Sequence, residues 1–127
     1  MSKKSMRVPD YLSHMLDAIH RIQRYTHGKS RDTFILDEQL QDAVVRNIEI
    51  IGEAARNVET QSPSFVAEND AVPWTALYAM RNRVSHGYWT VDLDAVWRVV
   101  GRDLPLLEAQ IQELLRDSRD GTDGGSE

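Results

Sequence analysis

Between Asp37 and Val58 the apolar residues recur with the period of an α-helix. Stepping about 100° per residue, Leu40, Val44, Ile48, Ile51, Ala55 and Val58 form one tight stripe. Ala43, Ile50 and Ala54 widen it on one side and Val45 on the other. So wide an apolar arc implies contact with more than one neighbour. Asp37 is placed to cap this helix. Arg46, Glu49 and Glu53 fall on the opposite face, which reads more simply as a solvated, mutually paired surface than as part of a site.

The rest of the chain is helical in the same way. Pro9 and Asp10 can start a first helix, because proline is tolerated in the first turn and Asp complements the helix dipole. Leu12, Met15, Leu16, Ile19 and Ile22 follow at helical spacing, and Gly28 is a stop. Residues 29–36 read as a connector with room for one short helical turn, and Thr60–Val72 as a polar loop. Pro73 opens a third long helix through Trp74, Leu77, Met80 and Val84, stopped by Gly87. Asp92 can cap a last helix carrying Leu93, Val96, Trp97, Val100, Leu104, Leu107, Ile111, Leu114 and Leu115. Its phase survives Pro105, so one kinked helix or two nearly collinear ones are expected. The expected fold is all-α, an up-and-down antiparallel bundle of four to five helices. It occupies residues 9–115, after a flexible N-terminus (1–8) and before a disordered tail (116–127) of Gly, Asp and Ser character.

Composition narrows the function. A chain of 127 residues suits one domain with a moderate core. With no cysteine, disulfides and thiolate metal sites are excluded, which fits a cytoplasmic protein. Neither a signal peptide nor an apolar run of the roughly 20 residues needed to span a membrane is visible. The formal net charge of −5 argues against a broadly basic nucleic-acid binder. An RNA partner would need a local basic cleft, for which Arg83, Arg98 and Arg102 are candidates.

Chemistry concentrates in Arg81-Asn82-Arg83-Val84-Ser85-His86-Gly87-Tyr88. On a helical wheel Pro73, Leu77, Met80 and Val84 share the core face. Asn82 and His86 share another face, one turn apart and away from the core, with Arg81 on its flank. A buried structural role for His86 is therefore disfavoured. A surface histidine at a helix C-terminus, where a cation is favoured, remains a sufficient account of the residue types alone. Tyr88 and Trp89 can equally be packing anchors for the turn. His14, His20 and His27 form no metal constellation, since His14 and His20 do not share a helix face.

Arg81-x4-His86-x-Tyr88 resembles the Arg-x4-His-x-Tyr motif of the HepT-like toxins, within the HEPN superfamily of RNases. Asp10-Tyr11-Leu12, Gly52-Glu53-Ala54, Val72-Pro73-Trp74 and Asp103-Leu104-Pro105 are similar to that family too. The resemblance covers about residues 9–115. It implies a homodimer of HEPN-like bundles acting as a metal-independent endoribonuclease, without a cofactor. Arg81 and His86 are the implied catalytic residues, at the dimer cleft, with Asn82 supporting them. The ribose 2′-OH would attack the adjacent phosphorus, leaving a 2′,3′-cyclic phosphate and a 5′-OH. His86 would carry protons, because an unperturbed imidazole titrates near neutrality. Arg81 would neutralise the non-bridging oxygens.

The resemblance further implies the toxin of a type VII toxin–antitoxin system, acting on tRNA or mRNA. An MntA-like nucleotidyltransferase antitoxin would silence it by transferring AMP to Tyr88, since added bulk and negative charge beside a phosphate cleft exclude RNA. Two alternatives stay open. One is a non-catalytic helical module that binds or regulates a nucleotidyltransferase. The other is a plain dimerisation protein in which the motif only ends a helix.

Overall fold

The computed structural model describes residues 6–85 and 92–125, with side chains for 6–80 and 92–117. The fold is all-α. The long helices are α1 (Val8–Thr26), α3 (Glu38–Gln61), α5 (Trp74–Ser85) and α7 (Leu104–Gly125). The shorter α2 (Arg31–Leu36), α4 (Pro63–Glu68) and α6 (Leu93–Arg98) link them, and a π-helical turn, Val99–Asp103, joins α6 to α7.

Helix starts follow local chemistry. The Asp10 carboxylate accepts the Arg7 N–H at 2.8 Å, and Pro9 lies in the first turn of α1. Gly28, at φ +74°, turns the chain after α1 in the left-handed region, which costs a glycine little. Ser30 caps α2 by accepting the Thr33 N–H at 3.1 Å. Asp37 caps α3 by accepting the Leu40 N–H at 3.0 Å. Asp92 caps α6 by accepting the Asp94 and Ala95 N–H groups. Each satisfies amide donors that a helix N-terminus leaves without an internal partner.

The wide apolar arc of α3 is used as its width requires. α3 lies at the centre, packed against α1 on one side and α5 on the other. Val44, Ile48, Ile51, Ala55 and Val58 are fully buried against Leu12, Met15, Ile19 and Ile22 of α1. Gly52 is buried as well. The buried polar Asn47 is satisfied on both sides of its amide. Its Oδ1 accepts from Arg21 Nε at 2.7 Å, and its Nδ2 donates to the Ala43 carbonyl at 2.9 Å. α7 packs on α1, where Glu108 accepts from Gln23 at 3.0 Å and pairs with His20 at 2.9 Å.

Three expectations change. Within Thr60–Val72, read as loop, Pro63 opens the six-residue helix α4. One and a half turns are too short for a periodic signal. Its Phe65 and Val66 pack on the core, with Phe65 edge-on to Trp74 at 6.1 Å. Next, the irregularity near Pro105 is a π turn that precedes it. Pro105 has no N–H for the carbonyl of Gly101, and the ring would crowd that carbonyl in a regular helix. The chain avoids both problems by widening one turn, in which Leu104 N–H bonds back to the Val99 carbonyl. Finally, helical backbone continues from Arg116 to Gly125, where a tail without regular structure was expected. Elongating an existing helix adds one hydrogen bond per residue and needs no new nucleus.

α2 and α6 meet across the short end of the bundle. Phe34 stacks on Trp97 at 5.1 Å, and Arg31 Nε donates to Asp94. That hydrogen bond, with the guanidinium charge behind it, holds the Asp94 carboxyl below its ordinary value. A depressed carboxyl contributes stability above its unfolded pKa and loses it as the pH falls through the folded one. Asp94→Asn should therefore lower the urea midpoint at pH 7, and the gap to wild type should close in acid. A gap that stayed constant with pH would show that the pair does not act through its charge.

Candidate functional site

The sequence places its chemistry at the end of α5, so the position of that helix decides what the site can be near. The indole of Trp74 is buried, and its Nε1 donates to the Asn69 carbonyl at 3.0 Å, just after α4. This fixes the start of α5 beside the C-terminal end of α3. One turn further on, the Arg56 guanidinium of α3 lies over the Tyr78 ring, 4.5 Å from its centroid. Moving along α5 thus moves back along α3, and the two helices are antiparallel. Leu77 and Met80 point into the core, as the wheel required.

Arg81 and Asn82 lie on the last turns of α5, which ends at Ser85. His86 and Tyr88 lie outside the described residues, as does Gly87, the expected stop. The chain re-enters at Asp92, the cap of α6. The motif therefore begins on the last turns of α5 and continues past the end of that helix. The helices on either side are anchored separately, α5 by Trp74 and Leu77 in the core and α6 by the Phe34–Trp97 stack.

The structure adds a feature that the sequence did not disclose. A cleft of about 340 Å³ opens between α1 and α3. Tyr11 and His14 line it from α1, and Arg46, Glu49, Glu53 and Asn57 from α3. Ile50 and Ala54 supply apolar wall. The rings of Tyr11 and His14 meet edge to face at 6.4 Å and 87°. Arg46 and Glu49 pair at 3.7 Å, so the expected pairing on this face is present. A wheel drawn for one helix cannot show a groove whose other wall is a second helix. The available signal was a polar stripe on α3 together with Tyr11 and His14 three residues apart on α1.

Among the described residues, no group of three or more His, Asp or Glu side chains could hold a metal ion. Among the same residues, no helix is long and apolar enough to cross a membrane.

Comparison with known proteins gives the chain its family. The model of the HepT-like ribonucleases matches residues 15–114, which includes the whole Arg81–Tyr88 segment. A Methanocaldococcus jannaschii protein named "Gamma-glutamylcyclotransferase and putative RNase" is 38% identical over 107 residues. That alignment takes in 84% of this chain but 47% of the relative, so the chain spans about half the length of that protein. The "Probable ribonuclease HepT" of Thermococcus cleftensis is 33% identical over 105 residues, covering 83% of this chain and 93% of the relative. No solved structure matches. With its all-α bundle and its match over most of its length, the chain belongs to the HepT-like ribonuclease family, of the HEPN type.

Proposed function

We propose that this chain is a metal-independent endoribonuclease and the toxin of a toxin–antitoxin pair. The observation that carries the reading is the family match across residues 15–114 around an intact Arg81-x4-His86-x-Tyr88. His86 acts as the proton carrier for attack of the 2′-OH on phosphorus. Arg81 stabilises the charge that grows on the non-bridging oxygens, and Asn82 orients the imidazole or the phosphate. A reaction that needs both an acid and a base is better served by two motifs than by one. The site is therefore completed by a second copy of the chain, across a symmetric interface.

The test is direct. The purified protein should cleave RNA in the presence of EDTA and leave a 2′,3′-cyclic phosphate. Cleavage that EDTA abolishes would overturn the metal-independent mechanism.

Tyr88 is the point of control. Two residues from His86, it can bear a nucleotide that fills the phosphate site with bulk and negative charge. A nucleotidyltransferase of the MntA type is the proposed antitoxin. Co-expression with that partner should raise the intact mass by whole AMP units and silence the RNase. Tyr88→Phe should show neither effect. If the partner still silenced Tyr88→Phe, inhibition would not run through this residue.

A further inference from the structure

α3 is packed by α1 on one side and α5 on the other, and its outer side faces solvent. Asp42, Arg46 and Glu53 are exposed there, with Glu49, Ile50 and Asn57 half-buried beside them. These positions recur every three or four residues, so they make one stripe along the helix. From Arg46 to Asn57 the stripe is the α3 wall of the cleft that Tyr11 and His14 line from α1.

The charges of this stripe are self-complementary in one arrangement. A closed pair of identical chains has a two-fold axis, so each contact is made twice. Parallel pairing of two α3 helices sets Arg46 against the partner's Arg46, and Glu53 against the partner's Glu53. Antiparallel pairing joins opposite charges instead. With the axis between Glu49 and Ile50, Arg46 lies opposite the partner's Glu53, and Asn57 opposite the partner's Asp42. Sliding the pair to set Arg46 against the partner's Glu49 brings Asp42 onto the partner's Glu53, two like charges. The Arg46 side chain is 70% exposed and holds Glu49 of its own chain only at 3.7 Å, so it is placed to reach across. Glu53 and Asp42 also interact within their own chain and keep those interactions, since each carboxylate has two oxygens that accept from several donors at once.

The level of that axis on α5 follows from the Arg56–Tyr78 contact. Glu49 and Ile50 are seven and six residues before Arg56, and Ser85 and Val84 are seven and six after Tyr78. The helices are antiparallel, so the axis lies level with the Val84–Ser85 step. That step is the middle of the Arg81–Tyr88 segment. An axis placed by the charges of α3 alone therefore sets the two α5 helices face to face at the centre of their motifs.

We infer that the outer face of α3 is the surface on which two copies of this chain pair, antiparallel, with Arg46 of each against the partner's Glu53. This rests on the reading that two copies complete the site.

The test is the oligomeric state, followed by sedimentation equilibrium and native mass spectrometry. Arg46→Glu and Glu53→Arg each set like charges opposite one another twice. Each should raise the dimer dissociation constant about 100-fold or more. Mixing the two variants should restore dimers, all of them mixed, to within about tenfold of the wild-type constant. Two folded variants that stay monomeric when mixed would overturn the pairing, as would a dimer indifferent to Arg46→Glu or a monomeric wild type.

A second variant decides the matter if Glu53→Arg fails to fold. The chain has no cysteine, so Ile50→Cys carries a single thiol beside the axis. Oxidised glutathione should link it into covalent dimers, which needs Cα atoms within about 7 Å. Leu36→Cys, at a position 87% exposed but roughly 20 Å from the axis by the helical rise, should not link. Linkage at Leu36 and none at Ile50 would overturn the face. Dimers that behave as expected in a protein that cleaves no RNA would keep the interface and remove the ribonuclease reading. RNA cleavage by dimers that ignore these variants would do the reverse.

Discussion

His86→Ala should lower the rate of RNA cleavage by about 10²–10⁴-fold, the usual contribution of a positioned general acid or base. The fold should persist, because the bundle is held by residues elsewhere. α5 is anchored by Trp74 and Leu77, both buried, about two turns and one turn before Arg81. Far-UV circular dichroism and the sedimentation profile should therefore match wild type. Arg81→Ala should show a loss of similar order, and Arg81→Lys should recover part of it. Lysine restores the charge but not the planar fork that grips two phosphate oxygens at once. Equal cleavage by wild type and His86→Ala would remove the imidazole from the mechanism. A loss in Arg81→Ala alone would then leave phosphate binding as the motif's single duty.

Phe34→Ala should destabilise the protein by about 3–5 kcal/mol, the range for deleting a buried aromatic side chain. Phe34 is fully buried although its helix has six residues. It is the one buried side chain of α2, packed between α3 and the Trp97 ring of α6. Without it α2 keeps only the half-buried Ile35 on the core, and Trp97 of α6 loses the ring it stacks on. Urea unfolding of both proteins measures the loss. Leu36, on the same helix but 87% exposed, is the control, and Leu36→Ala should change stability by no more than about 0.5 kcal/mol. A loss below about 1 kcal/mol for Phe34→Ala would mean that the α2–α6 corner is peripheral to the fold.

Most of the architecture was legible because it is written in periodicity. The stripe from Leu40 to Val58 has one physical solution, a helix buried on a broad face, and Asp37 marks its start. The caps at Asp37 and Asp92 and the stop at Gly28 depend on a residue and its immediate neighbours, which a sequence shows directly. What escaped was either too short or non-local. α4 has six residues, and its hold on the fold comes from Phe65 meeting Trp74 nine positions later. The cleft requires Tyr11 and Glu53 to share a groove, and only the packing of α1 on α3 brings them together. His14 read as scattered along one helix and becomes part of a wall once the second helix is in place. The motif was legible as residue types and as a family resemblance. Arg81 and Asn82 lie on α5 as expected, and His86 and Tyr88 fall beyond the described residues.

The widened turn at Val99–Asp103 settles an arithmetic mismatch in the last part of the chain. Val96, Val100, Leu104, Leu107, Ile111 and Leu115 are all buried, so each must face the same way. From Val96 to Leu115 there are 19 residue steps, and five turns of a regular α-helix take up about 18. A regular helix would rotate the far end of that row by about 100° and spread it over the full width of an apolar face. Storing the surplus residue in one loose turn keeps α6 and α7 in phase as a single apolar edge. Pro105, which looks like a breaker, sits just where the register is reset.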